Sequence, residues 1–252
     1  MSEQRTHLEV RDHILIITMT RPAKRNAIDG EMTLALDAAL NRLEDESDLW
    51  AAIITGGPDM FCAGTDMAAT SGTPTERGGV YGVVGRTRTK PLIAAVEGVA
   101  FGGGFEVAMA CDMIVAANNA RFGLPEVKRG LVATSGAIFR ASRVLPLNVA
   151  KQVMLTGTEL SPAEGYRHGM VNELCEPGEA LETALALAAQ ITANSPVSVQ
   201  QSLQAIDALA SIDDVHGWEL TARAKQVIDD SADAKEGIAA FFEKRPPVWK
   251  GY

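Results

Sequence analysis

Residues 90–106 read KPLIAAVEGVAFGGGFE. The run Leu92 to Val96 is short, apolar and free of charge, the pattern of a strand buried on both faces. The three glycines at 102–104 follow it, and a helix is expected from about Phe105 to Ala110. Bare backbone amides between a strand and a helix start can bind an anion or a developing oxyanion. The plainer alternative is a packing device that lets helix and strand approach. The run is neither GxGxxG, because the last position is Val107, nor a Walker loop, because GK[ST] is absent.

Outward from this stretch, strands and helices alternate, which predicts an α/β core. Residues 13–20 (HILIITMT) read as a buried strand that Arg21-Pro22 ends. Asp29 is placed to cap a helix running to about Glu46, with Met32, Leu36, Leu40 and Leu43 on one face. Residues 51–55 are a second strand, and 112–117 a fourth after that at 92–96. The Gly-, Thr- and Pro-rich stretch 70–79 is the best candidate for a mobile loop. Ser161-Pro162-Ala163-Glu164 is a helix start with a capping box. Beyond Asn194-Ser195-Pro196 the chain reads as helical until Arg245-Pro246-Pro247, so two parts are expected, 1–195 and 196–252.

The chain has 252 residues, 46% of them hydrophobic and 22% charged, a globular balance. Its net charge of −9 disfavours a non-specific grip on nucleic acid. Three scattered cysteines, Cys62, Cys111 and Cys175, make no CxxC and no disulfide framework. The four histidines form no HExxH, so no metal site is expected. The polar N-terminus lacks the apolar run of a secretory signal. Glu97 and Glu106 argue against a membrane span at 91–110. A cytoplasmic location follows as the expectation.

Two further features carry chemistry. Phe61-Cys62-Ala63-Gly64-Thr65-Asp66 follows a strand and a turn. Its small residues let a ligand approach the backbone, although an ordinary turn capped by Asp66 has the same look. Glu126 lies in Phe122-Gly123-Leu124-Pro125-Glu126, twenty positions after Glu106. Two carboxylates in one apolar cleft can differ in pKa, one donating and one accepting a proton. Taken singly, Glu106 is equally a partner for the helix dipole and Glu126 a solvated loop charge.

FCAGTD, GGGFE and FGLPE, in this order and spacing, resemble the enoyl-CoA hydratase/isomerase (crotonase) family. Arg21 to Ala27 looks like that family's first loop, and Lys90 to Gly98 like its central strand. Leu155-Thr156-Gly157 through Gly169-Met170-Val171 looks like a later helix, and Phe242 to Arg245 like its C-terminal signature. The resemblance implies a spiral of ββα turns with a C-terminal helical region used in trimerisation, as a homotrimer or hexamer. It implies an acyl-CoA thioester substrate and no cofactor, CoA being part of the substrate. The Thr65 and Gly103 amides would form the oxyanion hole. Glu106 would activate water for C3, and Glu126 would supply the C2 proton. Ala63 and Asp66 would lie near the adenine, Lys24 and Arg25 near the phosphates. Phe241 and Lys244 would reach nucleotide in the same or an adjacent subunit.

The expected activity is reversible enoyl-CoA hydration, with an isomerase that depends on Glu126 alone, or a non-catalytic acyl-CoA binder, as alternatives. Residues 127–143 and the 247–251 ending are similar to carnitinyl-CoA dehydratase relatives. Thr134 stands where familiar hydratases carry a glycine near the water site, and is read as filling space. There is no GxSxG and no triad context for a serine hydrolase.

Overall fold

The computed structural model describes residues 4–211 and 213–250. Gly251, the last residue of the carnitinyl-like ending, lies outside them. The chain opens with a hairpin, β1 (Thr6–Arg11) and β2 (Ile14–Met19), paired antiparallel. Helix α1 (Gly30–Asp45) starts as expected at Asp29, whose side chain accepts from the Met32 amide at 2.8 Å. The strands β3 (Ala51–Thr55) and β4 (Leu92–Val96) also form where the apolar runs place them.

Next come β5 (Val99–Phe101), α2 (Gly103–Met109), β6 (Met113–Ala117) and β7 (Arg121–Gly123). Helix α2 begins two residues earlier than expected, because Gly102 is its N-cap and the next two glycines already belong to its first turn. Strand β6 begins one residue later than expected. Asp112 is engaged instead by Arg88 and by the Leu92 amide, which donates to it at 2.7 Å.

A 3-10 turn at Pro125–Arg129 leads to α3 (Ala137–Val144) and α4 (Leu147–Thr156). The short β8 (Glu159–Leu160) precedes α5 (Pro162–Arg167), which carries the capping box read at Ser161 and Glu164. Then follow β9 (Glu173–Cys175), α6 (Ala180–Thr192) and three C-terminal helices. These are α7 (Pro196–Ala210), α8 (Asp214–Asp230) and α9 (Ala232–Glu243), in the part read as helical.

The main sheet has the order β1-β2-β3-β4-β6-β9 and is parallel from β2 onward. Its interior strands are buried on both faces, which is why they read as unbroken apolar runs. Alternate side chains serve different layers. Ile53, Ile93 and Val115 pack with Ala180, Ala184 and Ala188 of α6. Ala52, Ile54 and Ala94 face the other way, into the larger core with Leu36 and Leu40 of α1. Glu97, buried just past β4, accepts from the Gly178 and Ala180 amides and so anchors the start of α6.

A second, three-stranded sheet, β5-β7-β8, positions the site. Strands β5 and β7 are parallel, with Phe101 opposite Gly123. Cys62 forms an isolated parallel bridge to Ala100 on the other side of β5. Three chain segments therefore run in the same direction and end at the same edge. Beyond that edge lie Gly64 and Thr65 on the first, the glycine run and Glu106 on the second, and Glu126 on the third. The carboxyl ends of parallel strands are where open α/β folds collect ligand-binding groups.

The 70–79 stretch is tied to α1. Thr33 Oγ1 donates to Ser71 O, Thr75 Oγ1 to Asp37, and Arg77 pairs with Asp45. Among the described residues no helix is long and apolar enough to cross a membrane.

Candidate active site

A cavity of about 720 Å³ opens at the shared edge. Glu106 and Glu126 line it together, as do Thr65, Gly103, Ala63, Asp66, Lys24, Arg25 and Phe241. Lys244 does not line it. It is the exposed C-cap of α9, in a left-handed conformation at φ 55°. Both parts of the chain contribute walls, since Lys225 and Ile228 of α8 face the same space as the core residues.

Glycine is required at two points of the floor. Gly64 has φ +97°, and a Cβ there would sit 2.8 Å from Phe101 O and 3.1 Å from Gly103 N. Gly102 has φ 53° and ψ −126°, a region that side chains avoid. A Cβ on it would sit 3.1 Å from Glu126 Oε1. The Thr65 and Gly103 amides donate to no other group among the described residues. The parallel bridge of Ile28 to Thr65 spends the neighbouring groups instead, through Ile28 N to Gly64 O and Asp66 N to Ile28 O. Gly103 is in the first turn of α2, where amides lack an intrahelical acceptor.

Glu106 is 2% exposed, and its Oε1 accepts from Ser135 N at 2.7 Å and Ala137 N at 3.0 Å. Burial pushes its pKa up, against those two hydrogen bonds. Glu126 is not the solvated loop charge of the plainer reading. Burial, then repulsion from Glu106, raises its pKa to about 7, and its Oε2 is buried with no hydrogen-bond partner among the described residues. An orphaned carboxyl oxygen in an apolar setting favours the protonated form. The cavity thus contains one carboxyl fixed by backbone amides and one poised to carry a proton near neutrality.

Asp66 caps its turn, as the plainer reading has it, and lines the cavity. Its carboxylate pairs with Arg21 at 2.7 Å and accepts from the Ala68 and Ala69 amides, and these contacts hold its pKa down. Ala63 donates its amide to Arg25 O, and no donor among the described residues reaches its carbonyl. Lys24 and Arg25 form no ion pair among the described residues. Thr134 lines the cavity.

Sequence reasoning missed Asn26 and Tyr81. Asn26 is fully buried. It accepts from Arg21 N at 2.9 Å and donates to Gly56 O and Phe61 O at 2.9 and 3.1 Å, clamping the Lys24–Arg25 loop to the turn before Cys62. Tyr81 is buried at φ 60°, lines the cavity, and shares a hydrogen bond with Thr65 Oγ1 at 2.8 Å. A lone tyrosine in a glycine-rich stretch carries no motif, whereas the left-handed demand of 79–82 was signalled only by Gly79 and Gly82. Among the described residues no group of three or more His, Cys, Asp or Glu is arranged to hold a metal ion.

The family model described as enoyl-CoA hydratase/isomerase matches residues 9–252. A carnitinyl-CoA dehydratase of Salmonella heidelberg is 39% identical, with 100% of each chain covered. An enoyl-CoA hydratase of Mycobacterium tuberculosis is 38% identical, over 95% of this chain and 94% of that one. The crystal structure of a carnitinyl-CoA hydratase from Mycobacterium avium superposes with a TM-score of 0.94 at 40% identity, covering 100% of both chains.

Proposed function

Because the chain belongs to the enoyl-CoA hydratase/isomerase family, we propose that it is an enoyl-CoA hydratase, a hydro-lyase that adds water reversibly across the 2,3 double bond of an enoyl-CoA thioester. The observation that carries this reading is the pair of unlike carboxyls in one cavity beside two unspent amides. An isomerase needs only one carboxyl, and two favour water addition.

In the hydration direction the thioester carbonyl lies against the Thr65 and Gly103 amides. They stabilise the negative charge that develops as C3 is attacked, and losing one such donor costs about 2.7–4 kcal/mol. Ser135 and Ala137 fix one oxygen of Glu106, and the other takes a proton from the attacking water. The C3–O bond forms as electron density moves to the carbonyl oxygen. When it returns, C2 takes the proton held by Glu126. Dehydration of a 3-hydroxyacyl-CoA is the same path reversed. These steps draw on no metal or redox cofactor.

Lys24 and Arg25 hold the CoA phosphates at the cavity mouth, and the free Ala63 carbonyl accepts from the adenine amino group. Asp66 supports that wall through Arg21. Phe241 packs beside the nucleotide, and Lys244 reaches nucleotide bound to a neighbouring subunit. The strand–strand–helix units wind as a spiral. The chain works as a cytosolic homotrimer or hexamer, which would cover the exposed Val197, Ile206, Leu209, Val215 and Val227 of α7 and α8.

Loss of enone absorbance with crotonyl-CoA and a longer 2-enoyl-CoA tests the reading, with Glu126→Gln as control. Rapid loss abolished by the substitution is the expected result. A polar acyl group of the carnitinyl type is the second substrate reading, favoured by the Mycobacterium avium match and by Thr134 in the cavity wall. A carnitinyl-type thioester therefore belongs in the same panel.

A further inference from the structure

We propose that Tyr81 is a positioning residue that locks the two oxyanion donors to each other. The inference rests on the thioester site proposed above and goes beyond it.

The Tyr81 hydroxyl shares its 2.8 Å hydrogen bond with the side chain of Thr65, whose amide is one donor. The same hydroxyl packs against Gly103, whose amide is the other. A Cβ on Gly103 would lie 2.3 Å from the Tyr81 oxygen, so the phenol occupies the space a side chain would take. Thr65 follows the Cys62 bridge and Gly103 follows β5, on two different segments. Their amides must converge on one oxygen atom, and small errors in such convergence are costly. Tyr81 touches both segments at the point of convergence.

The same side chain lies next to the Glu106 environment. Ser135, whose amide holds Glu106, is 1% exposed, and its side chain lies against both the Tyr81 hydroxyl and the Glu106 carboxyl. Tyr81 itself is held from behind. Gly82 abuts the α1 backbone so closely that a Cβ there would lie 2.5 Å from Thr33 O, and the buried Arg86 side chain donates to Gly82 O while pairing with Asp37. A bulky residue at φ 60°, ψ 4° is uncommon and costs free energy, so the surroundings must enforce it. The enforced conformation is the one that brings the hydroxyl to Thr65 and Gly103.

The test uses the full-length protein and three variants, Tyr81→Phe, Thr65→Val and the double variant. Tyr81→Phe keeps the ring and loses the hydrogen bond. Thr65→Val loses the same bond from the other side and keeps the amide. The first readout is the red shift of a 4-dimethylaminocinnamoyl-CoA chromophore on binding, which reports polarisation of the thioester carbonyl without turnover. The second is the split between kcat and KM with crotonyl-CoA.

Each single variant is expected to bind the chromophore with a smaller red shift and to lose about tenfold in kcat with KM changed less than twofold. The double variant is expected to be no worse than either single one, since both remove one interaction. A full red shift and unchanged kcat in Tyr81→Phe would overturn the inference, as would a rise in KM alone. If the unaltered protein binds the chromophore without any red shift, the thioester site itself fails and takes this inference with it. If the unaltered protein shifts the chromophore and the variants shift it equally, only the role of Tyr81 fails.

Discussion

The amide of Ser135 holds Glu106 Oε1 at 2.7 Å across 29 residues of chain, and Ala137 N holds the same oxygen at 3.0 Å. Both donors lie at the entry to α3, so the carboxylate on α2 is aimed by a neighbouring element. A glutamine can keep the acceptor oxygen toward those amides but cannot take a proton from water. Glu106→Gln should therefore fold normally and lose 10²-fold or more in kcat, roughly the range of general acid–base catalysis. Glu126→Gln should lose a similar factor, because its amide cannot deliver a proton to C2. Enone absorbance with crotonyl-CoA, beside a thermal melt for each variant, checks both. Activity retained in either variant would remove that residue from the mechanism.

The pKa of Glu126, raised to about 7 by burial and by Glu106, fixes the sign of the pH dependence. Hydration needs Glu126 protonated, so kcat/KM for hydration should fall as pH rises through 7. Dehydration needs it ionised, so the reverse reaction should gain over the same interval. Stability follows the proton as well. The folded protein holds this proton more tightly than the unfolded chain, whose carboxyl titrates near 4.5. The contribution is fully present below pH 4.5 and is lost as pH rises to 7, by up to about 3 kcal/mol. Melts from pH 4.5 to 8 should show this decline in the unaltered protein and a smaller one in Glu126→Gln, where the buried Glu106, its pKa also raised, still contributes.

Gly102 supports the opposite carboxyl. Its φ of 53° with ψ −126° suits glycine alone, and a Cβ there would lie 3.1 Å from Glu126 Oε1. Gly102→Ala should cost about 1–3 kcal/mol of stability through backbone strain. It should also push Glu126 off its position, with a loss in kcat of about tenfold or more. A variant that melts lower while keeping full kcat would show that the glycine serves the fold and leaves the glutamate undisturbed.

The legible parts of the molecule are those whose signal is local. Residues 51–55 and 92–96 are doubly buried parallel strands, so an unbroken apolar run marks them. Asp29 caps α1 and Ser161 caps α5 through bonds three residues away. The strands β5, β7 and β8 are two or three residues long and leave no periodicity to read. Yet the parallel pairing of β5 with β7 is what brings Glu106 and Glu126 to one edge, so the pair was legible only through the family's motifs. Ser135 and Tyr81 were silent for the same reason. Each acts on a site residue 29 or 16 positions away, through contacts that no local pattern encodes.

Lys24 and Arg25 line the cavity and form no ion pair among the described residues. If they hold the CoA phosphates, Lys24→Ala and Arg25→Ala should each raise KM for an enoyl-CoA several-fold and leave kcat nearly unchanged. Surface charge pairs of this kind are worth up to roughly 1 kcal/mol and are screened by salt. The difference in KM from the unaltered protein should therefore shrink between 50 mM and 500 mM salt. A salt-independent difference would point to packing of the aliphatic stems, and an unchanged KM would move the phosphates elsewhere.

Asn26 links that loop to the segment that leads to Thr65 and offers a sharper separation of fold from site. Its side chain is fully buried, with Oδ1 taking the Arg21 amide and Nδ2 serving Gly56 O and Phe61 O. Its backbone is left-handed at φ 52°, a conformation asparagine tolerates better than most residues. Asn26→Ala strands those buried groups and adds backbone strain, for a total of about 2–4 kcal/mol. Asn26→Asp keeps the acceptor for Arg21 but turns the donor into an oxygen facing two carbonyls, so it should be no better. Both variants should melt lower, and both should raise KM for the thioester, because the loop they release carries Lys24 and Arg25. Glu106 and Glu126 hang from other elements, so kcat at saturating substrate should fall less than KM rises. A collapse of kcat with KM unchanged would mean instead that Asn26 acts through Cys62, whose thiol donates to Asn26 O, and through it on the amide proposed as a donor at Thr65.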